Sequence, residues 1–123
     1  MLVAAKYGEE GSEQSRQLRD HLTRAVEAMR GLESSCNEAM RQDQLEPAEK
    51  YEAFFTVLRR DANSAIAAIE LVLAQSAIGS QLIDNLNASI HLRALLADLF
   101  LVTEILEVRR AKSTAANGIA GSR

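Results

Sequence analysis

The chain has 123 residues, of which 47% are apolar and 25% are charged, and its formal net charge is −3. That length corresponds to one domain with a modest hydrophobic core, and the composition is ordinary for a soluble globular protein. The small negative charge excludes a strong general attraction to nucleic acid or to an anionic membrane.

Cysteine usage and the start of the chain bear on the cellular compartment. Cys36 is the single cysteine, so an internal disulfide is impossible, and this fits a reducing compartment. The first residues, MLVAAKYGEEGSE, lack the apolar run of a secretory signal peptide. We therefore expect a cytoplasmic protein.

The first predicted helix begins at Ser12, a suitable N-cap, and ends in the run RQDQLEP. Residues 1–11 are expected to be a flexible N-terminus. Apolar residues in this helix recur at intervals of four and three, the heptad spacing of a helix that packs along one seam. The seam positions are Leu18, Leu22, Ala25, Met29, Leu32, Cys36 and Ala39.

The second predicted helix starts at Pro47, which suits the first position of a helix. Its seam has the same spacing and contains Tyr51, Phe55, Leu58, Ala62, Ala65, Ile69 and Val72. The segment FFTVL at 54–58 is aromatic and β-branched, so residues 54–62 are open to two interpretations. They form part of one long helix, which we favour, or an extended piece before a helix that starts near Asn63.

The third predicted helix follows the break at Gly79 and runs over 81–110. From Ser113 the sequence is small and polar, which predicts a disordered tail over 113–123. Residues 12–112 would then form a single helical domain. The segment 92–106 is apolar but has only fifteen residues, short of the roughly 20 that span a bilayer.

The third helix carries apolar residues on nearly all sides. One stripe contains Ile90, Ala94, Ala97, Leu101, Ile105 and Val108. The other stripe is predicted to form a homodimer interface and contains Leu92, Leu95, Leu96, Leu99, Val102 and Leu106. Because two neighbouring helices cannot cover so much apolar surface, a second copy is expected to cover the rest. The predicted fold is all-α, a three-helix antiparallel arrangement of long helices completed by homodimerisation.

No sequence motif indicates an enzyme, a metal or a cofactor. His21 and His91 each lack a second ligand three or four residues on. Cys36 lies on the apolar seam, where a free cysteine usually acts as a small apolar residue. The basic pairs at 59–60 and 109–110 suit helix ends and give no recognisable nucleic-acid motif. We expect no catalytic residue, no cofactor and no direct contact with nucleic acid.

Two small groups of residues are candidates for a site. The first group is aromatic and contains Tyr51, Phe54 and Phe55. It is interpreted as core anchors of the second helix, or as an aromatic patch that binds a partner. Phe54 lies off the seam and is the residue expected to be available to a partner. Arg93 and Asp98 lie in the apolar third helix and are predicted to form a buried polar pair. That pair is interpreted as a salt bridge, or as the polar part of a ligand cavity.

Residues 54–111 resemble a group of small helical pseudomonad proteins of unknown function. The pattern is carried here by Phe55, Val57, Asp61, Glu70, Leu73, Ala74, Glu104 and Leu106. The stretch NASIHLRALLADLFLVTEIL is similar to the last helix of TraM, a small quorum-sensing antiactivator, in its Ala88-Ser89-Ile90 opening. Size, class and acidity are also compatible with QslA, another helical antiactivator. The likeness to TraM and QslA implies a protein that binds and disables a LuxR-type transcription factor.

The sequence therefore predicts a non-enzymatic regulator that binds another protein, most concretely a quorum-sensing antiactivator. A secretion chaperone or similar adaptor is the first alternative, because such proteins are also small, acidic and dimeric. A small helical ligand-binding protein or enzyme is the second, and it would need a polar-lined cavity. A DNA-binding dimer that uses the basic helix ends is the third.

Overall fold

Helices make up most of the computed structural model, which describes the backbone of residues 2–121 and the side chains of residues 13–116. The helices are α1 (Leu2–Arg30), α2 (Leu32–Gln42), α3 (Ala48–Leu73), α4 (Ser80–Asn87) and α5 (Ile90–Gly121). Residues 2–121 contain no β-strand. The predicted all-α class is confirmed.

The helix predicted to begin at Ser12 forms α1 and α2, which are divided only at Gly31. The Gly31 N–H donates to the Glu27 carbonyl at 3.2 Å, and the Gly31 carbonyl accepts from the Ser35 N–H at 3.0 Å. Helical hydrogen bonding therefore passes through the glycine, although glycine costs about 1 kcal/mol relative to alanine in a helix. The seam prediction is confirmed, since every seam residue from Leu18 to Ala39 is buried or half-buried.

The two ends of the chain differ from the prediction. α1 begins at Leu2, so residues 2–11 are helical where a flexible N-terminus was expected. α5 continues to Gly121, so residues 113–121 are helical where a disordered tail was expected. Met1, Ser122 and Arg123 lie outside the described residues.

Helix α3 is the centre of the fold. It packs against each of the other four helices, whereas in the described part of the chain no Cα atom of α1 or α2 lies within 8 Å of a Cα atom of α5. It is continuous through residues 54–62, which confirms the helical interpretation of that segment. Its predicted seam is confirmed too, with Tyr51 half-buried and the other six positions buried.

Two clusters of buried side chains make the core. The first core cluster contains Cys36, Leu45, Phe55, Leu58, Ala62, Ala65, Leu95 and Val102. The second core cluster contains Val26, Ile66, Ile69, Val72, Ile78 and Leu86. Each large aliphatic or aromatic side chain in them contributes about 1.5–3 kcal/mol by leaving water. The two clusters lie along the length of α3, which supplies residues to both.

The predicted third helix is interrupted and forms α4 and α5. The interruption falls at Ala88 and Ser89, after Asn85 and Asn87, because asparagine and serine compete with helical hydrogen bonding. The Ser89 Oγ accepts a hydrogen bond from the His91 N–H at 3.3 Å, which satisfies one free donor at the start of α5. The break lets α4 place Leu86 in the second core cluster.

Side chains also fix the loops to the helices. The Arg109 Nη2 donates to the carbonyls of Asp43 and Gln44, at 3.3 and 3.5 Å, and its guanidinium lies 6.0 Å from the centre of the Tyr51 ring. The Arg110 Nη2 lies 3.0 Å from the Asp43 carboxylate. These contacts attach α5 to the loop between α2 and α3. The two arginines are therefore engaged within the chain.

We predict that removal of residues 113–123 leaves the melting temperature unchanged, because the side chains described in that segment, 113–116, are exposed. A longer truncation, of residues 109–123, should lower it by about 5 °C, because the hydrogen bonds of Arg109 and Arg110 are lost. Thermal unfolding followed by circular dichroism measures both. A clear decrease for the shorter truncation would show that the end of α5 is packed against the domain.

Candidate functional site

Helix α5 carries most of the exposed apolar surface. Eight large apolar side chains are exposed among residues 13–116, and six of them lie on α5: Ile90, Leu96, Phe100, Leu101, Ile105 and Val108. Phe100 is 72% exposed. Single exposed apolar residues are common in soluble proteins, but a concentration on one helix indicates an interaction surface.

The stripe predicted as the dimer interface mostly faces the chain's own core. Leu95 and Val102 are buried in the first core cluster, and Leu92, Leu99 and Leu106 pack against it or its neighbour. Of the six predicted residues, only Leu96 is classed as exposed. The prediction is therefore wrong for Leu95 and Val102, which α3 already covers. Periodicity identifies two stripes on such a helix but does not say which one faces inward.

An apolar groove lies between the α1–α2 pair and α5. It arises because both flanking elements pack on α3 while their own Cα atoms stay more than 8 Å apart. Its volume is about 270 Å³, and no polar side chain lines it. The lining residues are Ala25, Ala28, Met29, Leu32, Leu92, Leu95, Leu96 and Leu99. Small side chains at Ala25 and Ala28 leave room that a partner's side chain can fill.

The sequence partly indicated this groove. Ala25, Met29 and Leu32 were recognised as seam residues, and the small size of Ala25 was visible. Ala28 lies off the seam and was missed. The signal that could have identified the groove is a pair of alanines three residues apart, next to larger apolar residues on the same helix.

The three aromatic residues do not form a surface patch. Phe55 is 3% exposed in the first core cluster, and Tyr51 and Phe54 are half-buried against it. The Tyr51 and Phe55 rings pack at 6.3 Å between centroids, and Arg109 lies over the Tyr51 ring. The core-anchor interpretation is therefore correct for Phe55. Phe54, expected to be available to a partner, is largely covered by its own chain.

Arg93 and Asp98 do not form the predicted buried pair. Five residues on a helix correspond to an offset of about 140°, so the two side chains leave α5 in different directions. Arg93 is exposed, whereas Asp98 is half-buried at the contact with α3. The prediction was wrong because it compared positions in the sequence and not directions around the helix.

Asp98 interacts with another acid, Asp61 of α3. Burial raises the pKa of the Asp98 carboxyl, and a hydrogen bond and charge repulsion from Asp61 raise it further, to about 6. The Asp98 Oδ2 is buried and has no hydrogen-bond partner. Two neighbouring carboxyl groups avoid repulsion when one of them holds a proton. In the sequence, Asp61 was identified only as part of the resemblance pattern, so this interaction was missed.

We predict that Asp98→Asn stabilises the protein at neutral pH. The wild-type carboxyl has a pKa of about 6 when folded and about 3.9 when unfolded, so the unfolding free energy falls as pH rises from about 4 to 6. Asparagine keeps the shape, carries no charge and can donate to Asp61. The gain at pH 7 should be about 1 kcal/mol, because the carboxyl keeps partial access to water.

Urea unfolding at pH 4, 5, 6 and 7 measures this gain. It should be absent at pH 4 and fully present at pH 7. Asp84→Asn, an exposed aspartate of α4, is the matched control and should show no such pH dependence. An equal effect of Asp98→Asn at every pH would contradict the raised pKa.

The remaining titratable candidates do not come together. His21 and His91 are both exposed, on α1 and α5. Cys36 is buried, and burial raises the pKa of its thiol, although the charge of Arg59 partly offsets this. Among the residues that the structure describes, no three His, Cys, Asp or Glu side chains are grouped as metal ligands. The same residues include no helix long and apolar enough to cross a membrane.

A comparison of the chain with protein families, with curated proteins and with solved structures finds no match. The arguments for function therefore depend on the α5 surface and on the groove beside it.

Proposed function

We propose that the chain is a non-enzymatic regulator that binds another protein, and that this protein is a LuxR-type quorum-sensing transcription factor. The observation that supports the proposal is the apolar groove between α1–α2 and α5. An apolar groove between two helices is the usual receptor for the apolar face of an amphipathic helix. The partner would contribute a helix from its own dimer surface.

The proposed mechanism is competition for that dimer surface. Two or three apolar side chains of the LuxR-type factor would enter the groove and contact Met29, Leu32 and Leu99. Burial of each one contributes about 1.5–3 kcal/mol, and such anchors provide most of the affinity in interfaces of this type. A LuxR-type factor bound in this way could not form its own dimer.

The resemblance to TraM and QslA is a second support for the proposal. It concerns small acidic helical proteins, and this chain is all-α with a formal charge of −3. The triplet Ala88-Ser89-Ile90 lies where α5 begins, as the resemblance implies for the opening of a long last helix. Antiactivation and a cytoplasmic location are parts of this proposal.

The proposal includes a homodimer. In it, α1–α2, α3 and α5 are the three long helical units of an antiparallel arrangement, and a second copy covers the exposed side of α5. Phe100, Leu101 and Val108 replace Leu95 and Val102 in that interface, because they are exposed while Leu95 and Val102 are buried.

We predict that Ala28→Glu abolishes binding of the LuxR-type factor. Ala28 is an exposed residue on the wall of the groove, so glutamate should fill the groove with a charge without disturbing the core. The matched control is Ala53→Glu, an equally drastic change at an exposed position of α3 that does not line the groove. Tagged full-length variants would be incubated with a lysate of the native organism, and retained proteins identified by mass spectrometry.

A LuxR-type regulator retained by wild type and by Ala53→Glu, but lost with Ala28→Glu, would support the proposal. A secreted effector retained in the same pattern would instead support the function of a chaperone or adaptor. If Ala28→Glu retains the regulator as wild type does, the groove is not the binding site. If no protein is retained, a small apolar ligand of the groove becomes the better hypothesis.

A further inference from the structure

Two opposite charges lie within the exposed apolar surface of α5. Arg93 and Glu104 are both exposed, and neither forms an ion pair within the described side chains. They are eleven residues apart, which is about 16 Å along a helix. Between them lie Ala97 and Phe100, which are also exposed.

These four residues form one line on the helix. Arg93, Ala97, Phe100 and Glu104 are spaced by four, three and four residues, the interval that keeps side chains on one seam. The seam lies on the side of α5 opposite Leu95 and Val102, which α3 covers. We call it the outer seam. Leu96 and Leu101 flank it and are each about half exposed.

We propose that the outer seam binds the outer seam of a second copy, with the two α5 helices antiparallel about a two-fold axis level with residues 98 and 99. Arg93 then lies against the partner's Glu104, and Glu104 against the partner's Arg93. Ala97 lies against the partner's Phe100, so that a small residue receives a large one. This rests on the homodimer in the proposed function and specifies its interface.

The spacing of the seam selects this register. The midpoint between Arg93 and Glu104 coincides with the midpoint between Ala97 and Phe100, so one axis satisfies both pairings. Two-fold symmetry forms each contact twice, giving two ion pairs and two contacts between phenylalanine and alanine. A parallel pairing in register would instead place Arg93 against the partner's Arg93, which is repulsive. The flanking leucines would bury apolar surface on either side.

The experiment reverses the two charges. Wild type, R93E and E104R would be purified as full-length proteins, and their dimer dissociation constants measured by sedimentation velocity. Each single reversal turns two ion pairs into two repulsions and should weaken the dimer at least about 10-fold. The double variant R93E/E104R exchanges the charges within one chain and should restore the wild-type constant. Circular dichroism checks that each variant remains folded.

An equal mixture of R93E and E104R gives a second measurement. The two chains should form a heterodimer, because every charge in one then lies against an opposite charge in the other. R24E is the matched control, since Arg24 is an exposed residue of α1 away from the outer seam. It should leave the dissociation constant unchanged.

Three outcomes would overturn the proposal. A wild-type protein that stays monomeric at all concentrations would remove the homodimer. If R93E and E104R leave the dissociation constant unchanged, the protein is a homodimer with a different interface. If the double variant does not restore the wild-type constant, the proposed register is likewise wrong. These measurements use the purified chain alone, without the LuxR-type factor. Their failure is therefore distinguishable from a failure of the capture experiment with Ala28→Glu, which tests the proposed function.

Discussion

The contact between α3 and α5 decides what the protein presents to its surroundings. Leu95 and Val102 enter the first core cluster with Leu58 and Ala62 of α3. Successive residues of a helix are about 100° apart, so burying that stripe fixes the direction of every other side chain on α5. Phe100 and Leu101 therefore face outward, while Leu92 and Leu99 border the groove. Without this contact neither the groove nor the outer seam would exist.

The same contact contains an unfavourable element. Asp61 and Asp98 face each other where α3 meets α5, and the Asp98 Oδ2 has no hydrogen-bond partner. A leucine or an asparagine would suit such a position better, because a half-buried carboxylate pair loses hydration and gains repulsion. The burial of Leu95 and Val102 between the same two helices offsets this cost. The packing of α5 is therefore less stable at neutral pH than its apolar content alone suggests.

Sequence periodicity identified the core-facing side of α1, α2 and α3, because each of these helices has a single seam and the seam faces the core. It was insufficient for α5, because a helix that is apolar on two sides has two equivalent seams in a one-dimensional pattern. The break at Ser89 was missed for a local reason, since one serine cap is a weak signal beside a long apolar run. Arg93 and Asp98 show the same limitation, because they are close in sequence but point in different directions from the helix. The two alanines of α1 mark one wall of the groove in the sequence, but no local pattern shows that α5, distant in sequence, supplies the other wall.

The groove and the outer seam meet at Leu96, which lines the first and flanks the second. A partner helix in the groove and a second copy on the seam would therefore contact one side chain from two sides. If the rotamer of Leu96 that suits one excludes the other, the two binding events are coupled, and the coupling free energy is the same in both directions. Dimerisation would then set the concentration at which the groove becomes available. A protein with this arrangement would respond to its own abundance as well as to that of its partner.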